Sequence, residues 1–265
     1  MKKRVISAIV ALAVIIPLIV LGGYWYYVGI GIVGVIGFYE LISIKEKKKN
    51  IPIVMKLLSM ISFVLIMFSS INNNYQFQVD YIYLTLPLVL CLMPIVFFNK
   101  EKEYVITDAL YLIGSVFLLG IAFNFLIVFR SFGLNYFIYL ILITIMSDTF
   151  AHFVGSQIGK YKLCPSVSPN KTIEGLIGGT FFATFIGTIF YLTFIDSSIS
   201  LPVVIIMTLV LSLSGAIGDL IFSAIKRYFG VKDFGNIMPG HGGVLDRLDS
   251  VLFAGLVMSI IVTLL

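Results

Sequence analysis

The residues of this chain best suited to chemistry are acids set at the mouths of apolar segments. Asp219 falls inside the run 201–222, a few residues from its end. An unpaired charge in a membrane span costs about 2.5–3.5 kcal/mol at the centre and less toward the interface. Ser223 and Lys226 follow at four and seven residues, on the same helical face. An Asp–Lys pair of this kind can merely hold helices together, but an intramembrane acid reads first as a cation ligand or a member of an ion pathway. Asp246 and Asp249 are three residues apart and project from one side of a first helical turn. Acids there are also favoured by the helix dipole alone, by about 0.3–1 kcal/mol each. That does not account for Arg247 between them, or for His241, Gly242 and Gly243 in the preceding "PGHGG". Two adjacent glycines can take positive φ and bring backbone N–H groups close to an anion.

Two further segments carry polar residues. "MSDTFAHFVGSQIGK" (146–160) places Asp148 just inside the end of an apolar run, with His152 one helical turn on. "SPNKTIEG" (168–175) presents Lys171 and Glu174 just before the next run, and Pro169 disfavours helix at Ser168. Lys226, Arg227, Lys232 and Arg247 add positive charge around the glycine turn. Acids on facing helices, basic residues and a glycine turn together describe a site for a divalent cation and phosphates. A hard cation such as Mg²⁺ takes carboxylate oxygens and keeps the rest of its shell for water and substrate phosphate.

The elements that must position these groups are membrane helices. The 265 residues are 60% hydrophobic and 12% charged, with a mean hydropathy of +1.08, against about 25% charged in an ordinary soluble domain. The apolar runs are continuous rather than alternating, which disfavours a β-barrel. The fold class is therefore an all-α polytopic membrane protein. At roughly 20 apolar residues per span, about nine transmembrane helices are expected, near 5–21, 24–44, 53–71, 81–98, 109–129, 134–153, 176–194, 201–222 and 251–265. The fifth could be two shorter helices broken near Gly120–Asn124, and the last must begin near Asp246 to reach across.

Placing the N-terminus in the cytoplasm and the C-terminus on the opposite side puts 17 of the 18 Lys and Arg inside, all but Arg130, as the positive-inside rule requires. "MKKR" before an apolar run resembles a signal peptide, but no small-residue cleavage site precedes "GGYWYY", so an uncleaved first helix is expected. Residues 1–130 then form scaffold helices whose charges lie in short loops or at span ends. Residues 131–265 form the catalytic part, with cytoplasmic loops 154–175 and 223–250. The formal charge of +5 follows membrane sidedness, so no nucleic-acid partner is expected. Cys91 and Cys164 share no metal-ligand spacing and read as free thiols, and two histidines exclude a His-rich metal cluster. No internal repeat of the kind that marks many transporters is visible.

The stretch "SAIKRYFGVKDFGNIMPGHGGVLDRLDS" (223–250) resembles the signature of phosphatidate cytidylyltransferases, the CDP-diacylglycerol synthases. Its Ser, Lys-Arg, Lys-Asp, Pro-Gly-His-Gly-Gly and Asp-Arg-x-Asp positions are all filled. The Asp-x-x-Ala of 148–151 and the Ser-Pro-x-Lys-Thr-x-Glu-Gly of 168–175 are similar to upstream parts of the family. The resemblance covers residues 147–255 well and the first half only by hydropathy. A Tyr is more usual in the family where His152 stands, a Lys at Asn170 and a Trp at Ile173, departures that bear on head-group contacts near the middle loop.

What the resemblance implies is an enzyme joining CTP and phosphatidate to give CDP-diacylglycerol and pyrophosphate. It implies Mg²⁺ held by Asp219 and Asp246, with K⁺ as a second cation, and a homodimer in the bilayer. Lys226, Arg227 and Arg247 would clamp phosphates, with Ser168 and Lys171 reaching in from the middle loop and Ser223 beside them. Asp249 and Asp148 would make secondary contacts, and His241 would meet the nucleotide or order its turn with Gly242 and Gly243. The site would face the cytoplasm, where CTP is, and open sideways to the lipid. A CTP-using enzyme of polyprenol or archaeal-type lipids is the nearest alternative. A cation-coupled transporter is the alternative from another class, although its acids should lie near the bilayer midplane.

Overall fold

The computed structural model describes residues 13–72, 80–98, 103–196, 198–237, 240 and 242–264. With no water in the hydrocarbon region, apolar runs satisfy their backbone groups internally as helix. The helices are α1 (Gly23–Glu46), α2 (Ile53–Asn72), α3 (Tyr81–Leu92), α4 (Pro94–Phe98), α5 (Ile106–Ser131), α6 (Leu134–Ile158), α7 (Ile173–Phe194), α8 (Leu201–Tyr228) and α9 (Leu245–Leu264). Strands β1 (Lys162–Cys164) and β2 (Ser168–Thr172) form an antiparallel hairpin between α6 and α7. Among the described residues eight segments are long and apolar enough to cross a membrane, Tyr81–Phe98 counting as one. The chain is an integral membrane protein with the expected all-α architecture. The first expected span, 5–21, begins outside the described residues, and its part from 13 to 21 is helical.

Some boundaries differ from expectation. The fourth span is interrupted at Met93, because Pro94 has no N–H to continue the ladder. The fifth is one uninterrupted helix of 26 residues, as the span expected at 109–129 requires, without the alternative break near Gly120–Asn124. Helices α6 and α8 run on to Ile158 and Tyr228, so the loops begin at Gly159 and Phe229 rather than at 154 and 223. Lys226 and Arg227 extend α8 because cations are favoured in a last helical turn.

The chain divides into two compact units. The first comprises the residues up to Ser131 together with Phe229–Arg247. Its centre is α5, against which α1, α2 and α3 pack. Lipid offers apolar side chains nearly what a neighbouring helix offers, so small residues and polar contacts decide membrane packing. Gly34 faces Phe63 and Met67, and Gly120 faces Ile66. Phe63 stacks on Phe38 at 4.7 Å and meets Phe123 edge-on at 6.1 Å. The buried Asn124 amide donates to the Ile66 and Met67 carbonyls and to the Ser69 and Ser70 hydroxyls, tying α5 to the end of α2.

At the other end of α5, Asp108 is 1% exposed and ion-paired to Lys45 at 2.8 Å and to Lys49. Removing a buried carboxylate leaves its partners uncompensated. Asp108→Ala should destabilise the detergent-solubilised protein by about 1–3 kcal/mol, less than a fully buried pair because both lysines reach the surface. Thermal unfolding followed by circular dichroism reads this, and an unchanged midpoint would contradict it.

The second unit comprises Phe132–Tyr228 and the residues from Leu248. Helices α6 and α7 lie close because Gly179 admits the backbone of α6. A Cβ there would stand 2.5 Å from the Ser147 carbonyl oxygen and 2.9 Å from the Ala151 nitrogen. The Thr172 hydroxyl caps α7 by accepting from the Gly175 N–H at 3.1 Å. Helix α8 is joined to α6 through Tyr139–Thr208 (2.7 Å) and Ser212–Ser147 (3.0 Å). Gly215 faces Thr144 and Ser250, and Gly218 faces Asp249 and Phe253. These small residues of α8 therefore pack within the chain, against α6 and α9.

Candidate active site

In the second unit, three of the four expected acids come together from three helices. Asp148 on α6, Asp219 on α8 and Asp249 on α9 lie within electrostatic reach of one another. Lys171, delivered by β2, places its ammonium 2.5 Å from Asp219 Oδ2 and attracts Asp148 as well. Ser223, one turn along from Asp219, donates to its Oδ1 at 3.2 Å. Ser250 Oγ donates to Asp148 Oδ2 at 3.3 Å, and the Ser250 N–H donates to Asp249 Oδ1 at 2.8 Å. Lys226 is 8% exposed and within electrostatic reach of the buried Asp249. Thus three carboxylates drawn from three helices are partly offset by two lysines.

The hairpin that presents Lys171 is held at several points. Glu174 accepts from the Tyr161 N–H, the Ile173 N–H donates to the Tyr161 carbonyl at 2.9 Å, and Arg227 Nε donates to the Val167 carbonyl at 3.3 Å. Ser168 opens β2 opposite Cys164. Both cysteines are free thiols, as expected. His152 is exposed on α6.

The remaining expected residues belong to the first unit. Gly242 takes φ +85°, open only at a cost to residues with a Cβ. Gly243 does not share this conformation. It is required instead by close approach, since a Cβ would stand 2.5–2.7 Å from the carboxylate atoms of Glu40. Asp246 Oδ2 accepts from the N–H groups of Gly243 and Phe234, both at 2.9 Å. The next two N–H groups, of Val244 and Leu245, donate to Glu40 at 2.9 and 3.0 Å. The glycine turn thus turns three successive donors onto carboxylates. Phe229 packs edge-on against Tyr111 and lies under the Lys48 ammonium. Arg247 is exposed at the start of α9. His241 lies outside the described residues.

Glu40 escaped the sequence reading, which placed the charges of the first half only in loops or at span ends. The available signal was a lone acid in "GFYELISI" (37–44), since an ionisable residue inside a span needs a partner.

For a divalent metal, the donors at hand are carboxylate and hydroxyl oxygens, the chemistry that suits Mg²⁺. Among the described residues no three His, Cys, Asp or Glu side chains are disposed as a complete ligand set. Mg²⁺ does not demand one, being commonly held by one or two carboxylates with water and substrate phosphate. The residues fit on that ground.

The chain matches the cytidylyltransferase family over residues 2–265. It belongs to that family. The match takes in the first half as well, which the signature residues alone did not reach. The chain is similar to the phosphatidate cytidylyltransferase of Staphylococcus aureus (strain COL), 37% identical over 254 residues that cover 96% of this chain and 95% of that protein. It is 35% identical, with the same coverage, to the phosphatidate cytidylyltransferases of Staphylococcus haemolyticus and Staphylococcus saprophyticus. The family inferred from residues 147–255 is therefore correct.

Proposed function

We propose that this membrane protein transfers the cytidylyl group of CTP to phosphatidate, giving CDP-diacylglycerol and pyrophosphate. The observation that carries the reading is membership of the cytidylyltransferase family over nearly the whole chain. It is supported by the meeting of Asp148, Asp219 and Asp249 with Lys171 and Lys226. A phosphate oxygen of the lipid attacks the α-phosphorus of CTP in line. The bond from that phosphorus to the oxygen bridging it to the β-phosphorus breaks, and pyrophosphate leaves with the electron pair. The lipid phosphate is already ionised near neutral pH, so little is asked of a general base. Catalysis rests on positioning and on neutralising charge.

Lys226, Arg227 and Arg247 are assigned to the phosphates. Ser168, Lys171 and Ser223 approach from the hairpin and the end of α8, and His241 with Gly242 and Gly243 is assigned to the nucleotide. Asp219 is assigned to the metal on its place among the acids, and Asp246 on the signature alone. Asp148 and Asp249 make secondary contacts. Mg²⁺, when bound, neutralises phosphate charge and steadies the leaving group, with K⁺ as a second cation. The site faces the cytoplasm, phosphatidate enters from the leaflet, and two chains associate as a homodimer.

The test is detergent-purified protein given α-labelled CTP, phosphatidate and Mg²⁺. Labelled CDP-diacylglycerol is expected, lost on chelation of divalent cations and restored by Mg²⁺. Label passing only to a polyprenol or an archaeal-type lipid would keep the family and replace the substrate. Label in no lipid would refute the reading and favour a cation-coupled transporter.

A further inference from the structure

Glu40 is 3% exposed within a helix of 24 residues. Among the described residues no Lys or Arg pairs with it; its two oxygens accept the Val244 and Leu245 N–H groups. These are orphan donors at the start of α9, where a negative charge is also favoured by the helix dipole. Two glycines bring the chain up to this carboxylate. A side chain at Gly235 would collide with it, as would one at Gly243. One turn earlier on α1, Gly37 faces Leu245. Asp246, meanwhile, takes the Gly243 N–H, and its charge is felt by Glu40. Two carboxylates 206 residues apart in sequence therefore divide three consecutive N–H groups between them.

We infer that Glu40 is a positioning residue for cytidylyl transfer. Its carboxylate fixes the backbone of residues 243–245 and so sets the direction in which Asp246 leaves the first turn of α9. The inference rests on the reading that Asp246 belongs to the reacting site. A cap that served stability alone would leave the turnover of the folded enzyme unchanged. Glutamine at position 40 keeps the size of the side chain but has only one oxygen to accept with, so one of the two N–H groups is lost.

The test uses the full-length protein in detergent with the variants Glu40→Gln, Glu40→Ala, Gly243→Ala and Asp246→Ala. For folded Glu40→Gln the expected result is a kcat lower by about 10–100-fold, the scale of a small displacement of a reacting group. Its KM for phosphatidate should stay within about twofold, since lipid contacts are not altered. Hydrogen exchange should quicken at residues 243–246 while the middle of α9 remains slow. Gly243→Ala should show the same pattern, and combining it with Glu40→Ala should be no worse than Glu40→Ala alone. Wild-type kcat in the folded Glu40 variants overturns the inference. If those variants do not fold, wild-type kcat in Gly243→Ala overturns it instead. Loss of activity in Asp246→Ala with Glu40→Gln unaffected sinks the inference alone, whereas full activity in Asp246→Ala sinks the reading beneath it.

Discussion

Asp219→Asn is expected to lower the rate of CDP-diacylglycerol formation by about 10²–10³-fold, the cost of deleting one preorganised electrostatic partner in a catalytic site. Asparagine preserves the volume of the side chain and can still accept from Ser223, so the helix should remain as it is. What disappears is the charge that Lys171 pairs with and that Asp148 and Asp249 sense. A neutral amide at this position no longer attracts a divalent cation. The loss should therefore appear in kcat, and in the amount of Mn²⁺ bound in the presence of CTP, counted by electron paramagnetic resonance. Turnover and Mn²⁺ binding both at wild-type levels would remove Asp219 from the metal assignment.

The second large effect concerns Lys171. Its ammonium contacts Asp219 and attracts Asp148, and the nearby Asp249 has Lys226 as a cationic counterweight. Lys171→Met should therefore cost on the order of 10²-fold in rate and also lower the thermal midpoint, because carboxylates in one cluster repel when a balancing charge is withdrawn. Adding Asp148→Asn removes one of those negative charges and should restore much of the midpoint. It should not restore the rate, since no cation is returned to the phosphates. Lys171→Arg should recover only part of the rate, because the planar guanidinium does not reproduce a compact ammonium. A Lys171→Met protein with wild-type rate and midpoint would make the Lys171–Asp219 pair a surface contact of no consequence.

Hydropathy and residue type are enough to draw the helices of this chain. The span expected at 53–71 is a helix from Ile53 to Asn72, and the last helix begins at Leu245, as the need to reach across the bilayer required. Asp246 stands on its first turn, as expected, whereas Asp249 falls just beyond it, in the second. The family too was legible, because a polar string such as 223–250 is rare in so apolar a sequence. Where boundaries differ, at Ile158 and Tyr228, the helix ends on polar residues that read as loop, Ser156 and Gln157 in the first case and Lys226 and Arg227 in the second.

The sequence by itself determined which segments enter the membrane and which residues have the chemistry for phosphates and a cation. Both are properties of a residue and its near neighbours, judged against lipid or water. Only the tertiary structure decided the partners: Lys171 for Asp219, Ser250 for Asp148, and the backbone of residues 244 and 245 for Glu40. It also turned the small residues of α8 inward, against α6 and α9. A buried carboxylate must find a donor or a cation to offset its lost hydration, but many donors along the chain would serve. Which one does depends on how the helices pack, and no single stretch of sequence contains that.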